Sequence, residues 1–209
     1  SAYYSNISPF YYTEQNIITT MNYVENKGNI TVNGFTLASE LSVSGITTNI
    51  KVDYHNVINS GSISVYSINT TTTAANTLNV SGITKALSVG RIMENSVNYG
   101  NIIVAAISGS SNVYIGGLVN SNVSGTPNLK TVPLVATIGI LNSVNEGDIS
   151  TTLNSSTWGI AGTNNTFAGG LATMNSGSIQ NSANIGNITI SNRTRESSSP
   201  TLTYSTDVY

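Results

Sequence analysis

Asn59-Ser60-Gly61-Ser62-Ile63 (NSGSI) returns letter for letter at Asn175–Ile179. Near-copies stand at Asn26–Ile30 (NKGNI), Asn98–Ile102 (NYGNI), Asn145–Ile149 (NEGDI) and Asn184–Ile188 (NIGNI). Asn-x-Gly-x-Ile thus occurs six times, with Lys27, Ser60, Tyr99, Glu146, Ser176 or Ile185 at its second position. A chemical site used six times would not vary so freely. The pentapeptide reads instead as a structural unit, built on Asn26, Gly28 and Ile30; Asn59, Gly61 and Ile63; Asn98, Gly100 and Ile102; Asn145, Gly147 and Ile149; Asn175, Gly177 and Ile179; and Asn184, Gly186 and Ile188. Glycine tolerates positive φ, so the chain is expected to turn sharply there. Asparagine bonds its own backbone readily in turns. The isoleucine then starts the next strand and points inward.

A second unit alternates with the first: Val43–Ile46 and Val80–Ile83 (VSGI), with looser forms at Gly116–Leu118 and Gly169–Leu171 (GGL). The inward residues of both units, Ile30, Ile46, Ile63, Ile83, Ile102 and Leu118, recur every 16 to 20 residues. Between them lie short alternating runs such as NITVNGFTL from Asn29 and SISVYSI from Ser62, bounded by Gly and Asn, which read as half-buried strands. No 3.6-residue period survives long enough for a helix. Recurrence at this spacing points to an all-β chain winding as a β-solenoid of about nine irregular coils, on the order of 40 Å long at one strand spacing per coil. Stacked isoleucines would form its core, and stacked asparagines would form amide ladders at its corners. A β-sandwich with a donated terminal strand is the alternative. Residues 22–192 are read as the repeat domain. The tyrosine-rich residues 1–21 are read as a capping or donor segment, and 193–209 as a C-terminal strand or tail.

Composition narrows the function. Only 8% of the residues are charged and the net charge is −2, so no basic patch offers itself to nucleic acid. The longest apolar run, IIVAAI from Ile102, falls far short of the roughly 20 residues of a membrane-spanning helix. There is no cysteine, hence no disulfide or thiolate chemistry. Asn, Ser and Thr make up about 40% of the chain, so solubility rests on amides and hydroxyls or on attached sugars. Ser1 is read as the residue left by signal-peptide removal, which places the chain outside the cell.

The stretch Ala168–Ser191, AGGLATMNSGSIQNSANIGNITIS, resembles the GLUG-type repeat of bacterial surface proteins. IGGLVNSN from Ile115 with ILNSVNEGDIS from Ile140, and MENSVNYGNIIV from Met93, are similar to parts of the same pattern. The second glycine of the GLxG element is missing, the spacing is irregular, and the first 20 residues depart from the pattern altogether. The resemblance implies a right-handed β-solenoid in secreted or wall-attached adhesins. The composition is also similar to that of archaeal surface-filament glycoproteins.

Candidates for chemistry are few. His55 stands two residues from Asp53, on the same face of a strand, without a nucleophile-elbow motif. Glu146 and Asp148 share one repeat, a single carboxylate pair of the kind that polysaccharide-cleaving β-helices or calcium sites would multiply. Catalytic, metal and cofactor residues are therefore assigned to none. Asn6, Asn29, Asn69, Asn79, Asn122, Asn154, Asn164, Asn187 and Asn192 open Asn-x-Ser/Thr sequons and are the candidate N-glycosylation sites. The expected protein is a non-enzymatic, extracellular structural or adhesive subunit of a cell-surface filament or adhesin. It would be a homo-oligomer or filament joined by strand pairing, with glycans as possible partners and neither nucleic acid nor a membrane span. Two alternatives stand beside it: a monomeric glycan-binding adhesin module using Tyr54, Tyr66 and Tyr114, and a polysaccharide-active β-helix enzyme.

Overall fold

A computed structural model describes residues 4–10, 19–34, 36–37, 39–70, 76–108, 111–123, 139–154, 164–193 and 205–208. Among the described residues there is no helix, and the strands fall into five parallel stacks. Sheet I holds Tyr4–Ile7, Glu40–Ser44, Asn76–Ser81, Ser111–Gly116, Asn164–Gly169 and Ser205–Val208, in that spatial order. Sheet II holds Thr84–Leu87, Val119–Asn122 and Ala172–Asn175. Sheet III holds Thr19–Asn22, Val52–His55, Met93–Glu94, Ile140–Leu141 and Ile179–Gln180. Sheet IV is a column of two-residue strands at Glu25–Asn26, Ile58–Asn59, Val97–Asn98, Val144–Asn145 and Ala183–Asn184. Sheet V holds Ile30–Asn33, Ile63–Thr70, Ile102–Ser108, Ile149–Asn154 and Ile188–Arg193, with Thr36–Leu37 also pairing to its second strand.

The chain visits sheets III, IV, V, I and II in turn and then returns to III one rung higher, the path of a solenoid-like coil. Each strand meets its own counterpart one circuit later, which is why every pairing is parallel without a helical crossover. Parallel pairing throughout the described residues departs from the antiparallel sheets of a β-sandwich.

Ile30, Ile63, Ile102, Ile149 and Ile188 are partners in successive rungs of sheet V. Two residues on, Val32, Val65, Val104, Thr151 and Ile190 repeat the column, as alternation along a strand requires. Ile46, Ile83, Leu118 and Leu171 form a different column on the far side of the coil. It is joined by Ile46 N–H to Ile83 O at 3.1 Å, Ile83 N–H to Leu118 O at 2.9 Å and Leu118 N–H to Leu171 O at 3.1 Å.

The 16-to-20-residue recurrence is therefore half a circuit, because each of the first four coils contributes both an Asn-x-Gly-x-Ile corner and a Gly-Ile or Gly-Leu corner. A full circuit takes 33, 39, 47 and 39 residues in successive coils. Among the described residues sheets III, IV and V contain five rungs against the nine coils expected, and five rungs span about 24 Å at ~4.8 Å each. The winding also includes Tyr4–Ile7, Thr19–Asn22 and Ser205–Val208, so the segments 1–21 and 193–209 each supply strands to the stacks.

Two hydrophobic cores fill the coil. One gathers Val43, Ile63, Val80, Ile102, Val104, Val113 and Ile149 between sheets I and V. The other gathers Ile46, Val52, Tyr54, Ile83, Met93, Leu118 and Ile140 against sheets II and III. Removing Ile102, fully buried in the first core, is expected to cost about 2–5 kcal/mol as Ile102→Ala. The adjacent Ile103, whose side chain faces outward, is expected to stay within about 0.5 kcal/mol of wild type as Ile103→Ala. Urea denaturation midpoints of the two variants check the strand's facing directly.

Candidate functional site at the waist of the coil

The repeated asparagines meet between the two cores. Asn26 Nδ2 donates to Asn59 Oδ1 at 2.8 Å, Asn59 to Asn98 at 2.7 Å, Asn98 to Asn145 at 2.7 Å and Asn145 to Asn184 at 2.7 Å. The second hydrogen of each amide goes to the carbonyl of its own repeat's glycine, from 2.7 to 2.9 Å at Gly28, Gly61, Gly100, Gly147 and Gly186. Asn59, Asn98 and Asn145 are fully buried, so these bonds satisfy groups that water cannot reach. The result is a continuous amide ladder with one direction, each nitrogen pointing to the next rung.

The glycines of this repeat are needed for space rather than for a left-handed turn. Among the described residues the positive-φ glycines are Gly34 and Gly90, neither of them in the repeat. A Cβ on Gly61 would instead sit 2.0 Å from Gly28 O, and on Gly100 2.0 Å from Gly61 O. On Gly147 or Gly186 it would lie 2.1 Å from the preceding glycine's carbonyl. The second repeat closes the waist from the opposite side. A Cβ on Gly45 would lie 2.6 Å from the amide carbon of Asn59, on Gly82 2.5 Å from that of Asn98, on Gly117 2.6 Å from that of Asn145 and on Gly170 2.4 Å from that of Asn184. Ladder and glycine columns thus press together and part the two cores.

The left-handed turns fall three residues upstream of the ladder. Asn56, Asn95, Asn142 and Asn181 have φ between 47° and 54°, and Tyr23 takes the same place in the first coil at 56°. Asparagine adopts this region more readily than other side-chain-bearing residues. Tyr23, Asn56, Asn95 and Asn142 pass their N–H to the rung above, as in Asn56 N–H to Glu94 O at 3.0 Å and Asn95 N–H to Leu141 O at 3.1 Å. A short serine ladder follows: Ser96 N–H donates to Ser143 Oγ and Ser143 N–H to Ser182 Oγ, both at 3.1 Å. Neither ladder of turn residues was read from the sequence, although Asn-x-x-Asn-x-Gly-x-Ile is written in four of the coils.

The sixth copy of the pentapeptide lies elsewhere. Asn175 ends a strand of sheet II, where its Oδ1 accepts from Asn122 Nδ2 at 2.8 Å, and Gly177 packs on the same Asn122 amide. Ile179 belongs to sheet III, opposite Ile140. Its position three upstream of the asparagine is Ala172 rather than an asparagine.

The candidates for chemistry are dispersed. His55 Nδ1 faces Glu94 Oε2 at 3.2 Å, whereas Asp53 is engaged by Arg91 Nη1 at 3.2 Å and by Ile92 N–H at 3.0 Å. His55 and Asp53 thus serve different partners. Asp148 Oδ1 accepts from Asn187 N–H at 2.8 Å and from Asn187 Nδ2 at 3.1 Å, which makes it one rung of an exposed row of backbone caps that includes Asn29 and Asn101. Among the described residues no three His, Cys, Asp or Glu side chains converge, and no helix is long and apolar enough to cross a membrane.

Tyr54 cannot join a surface aromatic patch. It is fully buried, its hydroxyl donates to Asn49 O at 2.8 Å, and burial pushes its phenol well above the ordinary tyrosine range. Tyr66 lies on sheet V and Tyr114 on sheet I, where Tyr114 stacks on Phe167 with ring centroids 5.0 Å apart.

Of the sequon asparagines, Asn6, Asn29 and Asn187 are exposed. Asn79 is nearly buried and donates to Glu40 Oε1 at 2.9 Å. Asn122 is fully buried, with its amide bound to Asn175 and to Ser178 O. Asn69, Asn154, Asn164 and Asn192 lie in described strands, but their side chains fall outside the described residues.

No family model matches the chain, and no curated protein or solved structure shows significant similarity to it.

Two outcomes test the waist. Asn98→Ala removes the partner of Asn59 Nδ2, Gly100 O and Asn145 Oδ1 together, and at about 1–3 kcal/mol per unsatisfied buried group it should cost at least about 3 kcal/mol in chemical denaturation. Tyr54 has a folded pKa above its unfolded one, so its contribution is fully present below pH ~10 and is lost as pH rises past that point. Thermal melts between pH 9 and 11 should therefore show a fall in Tm that Tyr54→Phe makes shallower.

Proposed function

We propose that this chain is a non-enzymatic, extracellular structural or adhesive protein, a subunit of a cell-surface filament or adhesin. The observation that carries this reading is where the repeat goes. Five of its six asparagines are consumed in one internal ladder, and the matching glycines in close rung-to-rung contact, so the repeated residues build the rod and leave no repeated group for catalysis. An 8% charged content on such a scaffold suits an outer surface of amides, hydroxyls and sugars.

The likeness of Ala168–Ser191 to GLUG-type repeats supports the same assignment, and with it a right-handed winding, the hand that parallel β connections overwhelmingly take. Glycans would sit on exposed sequons and be absent from buried ones.

Immunogold labelling of intact source cells tests the assignment. Label on the cell exterior or on filaments is expected, and label confined to the interior overturns it. Glycopeptide mapping of the same material should find sugar at Asn6, Asn29 or Asn187 and none at Asn122.

A further inference from the structure

We infer that the two ends of the coil are made to join, the last rung of one copy docking under the first rung of a second copy of this chain so that the amide ladder runs through the joint. This rests on the reading above and names the surface by which such a subunit would assemble.

Gly28 gives the first reason. Every later glycine of its column is forced by the carbonyl of the rung before it. Gly28 occupies the first rung, its φ is not positive, and the nearest described atom to an added Cβ is its own Asn26 Oδ1 at 3.6 Å, an ordinary contact. Within the described fold an alanine fits there. A glycine is required at this place only if another carbonyl lies beneath it, as Gly28 O lies beneath Gly61.

The ladder gives the second reason, because its two ends are complementary. Asn184 Nδ2 bonds Gly186 O at 2.7 Å, and among the described residues nothing accepts its other hydrogen, which every earlier ladder asparagine gives to the next rung. At the opposite end Asn26 Oδ1 has no lower asparagine and takes Gly28 N–H at 3.1 Å instead. In the later rungs that N–H goes to the asparagine carbonyl below, as from Gly61 to Asn26 O at 3.3 Å and from Gly100 to Asn59 O at 3.2 Å. A donor is left over at one end and an acceptor bound only within its own repeat stands at the other, in the same column and with the same polarity.

The cores give the third reason. Ile188 and Ile179 are only partly buried, although Ile149 and Ile140 one rung earlier are shielded from water. At the first rung Met21, Val24 and Ile30 are likewise partly buried, whereas Tyr54, Val57 and Ile63 above them are fully enclosed. Stacking Asn26 on Asn184 and Ile30 on Ile188 would enclose both sets at once.

The contact is head to tail. It therefore propagates into a linear rod rather than closing as a symmetric dimer. Sheet I sets a condition on the joint, for it has six strands where sheets III, IV and V have five rungs. One strand suffices between Asn164–Gly169 of one copy and Glu40–Ser44 of the next, so either Ser205–Val208 of the first copy or Tyr4–Ile7 of the second gives way.

The test uses the full chain and Gly28→Ala, compared by sedimentation velocity and negative-stain microscopy over rising concentration. Wild type should form rods with an axial repeat of about 24 Å, five rungs at ~4.8 Å. Gly28→Ala should keep its circular dichroism and Tm while association weakens by about 100-fold or more, since its Cβ would meet Gly186 O of the neighbour as closely as a Cβ on Gly61 meets Gly28 O. Hydrogen exchange on wild type gives a second readout, in which assembly should slow the amides of residues 26–30. Wild type that stays monomeric, or Gly28→Ala that assembles as wild type does, overturns the joint. Immunogold labelling of the cell surface would still decide the broader assignment separately.

Discussion

The structure depends on the amide ladder at its waist. A parallel coil of this size has to bring the backbone close to itself where the two cores part, and that place is too narrow for apolar side chains and too dry for unpaired polar ones. Asparagine meets both demands, because its amide lies flat, donates twice and accepts, and so bonds along the axis while holding its own corner. Each bond contributes only about 1 kcal/mol net. Its larger effect is on register. A one-residue slip would leave buried amides unpaired at every rung, a cost far above that of the bonds themselves.

The glycines follow from the ladder. With amides spanning the waist, the facing corner has no room for a side chain, and Gly45, Gly82, Gly117 and Gly170 supply the gap. The glycines of the asparagine repeat have a different neighbour, the glycine carbonyl one rung below. Two columns of the same residue thus answer two different contacts. The excess chain in the coils of 39 and 47 residues is absorbed between the corners, which keeps the waist uniform while circuit length varies.

Much of this arrangement is legible in the sequence, and the rest is not, for definite physical reasons. Alternation and the recurrent Asn-x-Gly-x-Ile declared strands, corners and a stacked isoleucine column, and Ile30, Ile63 and Ile102 do lie on one another. Spacing alone could not distinguish one corner per coil from two, because both kinds present a glycine followed by an inward aliphatic residue; hence nine coils were expected where sheets III, IV and V have five rungs. Glycine at a corner suggests a left-handed φ because turns commonly ask for it. The turn itself went to Asn56, Asn95, Asn142 and Asn181, leaving glycine to serve proximity. Tyr54 reads as a surface residue because a tyrosine in an alternating run gives no sign of which core will enclose it.

By itself the sequence determined the local grammar: which residues alternate, where chain direction changes, and that no charge-rich or thiol chemistry is on offer. Only the tertiary structure decided what each copy of that grammar touches. Asn59 and Asn175 begin the identical pentapeptide, yet one is a sealed rung of the ladder and the other pairs with Asn122 in a different sheet. The physical reason is that a pentapeptide specifies a bend and a facing direction. The partner that makes an amide structural lies 33 or more residues away, and it arrives only when the intervening chain has completed its circuit.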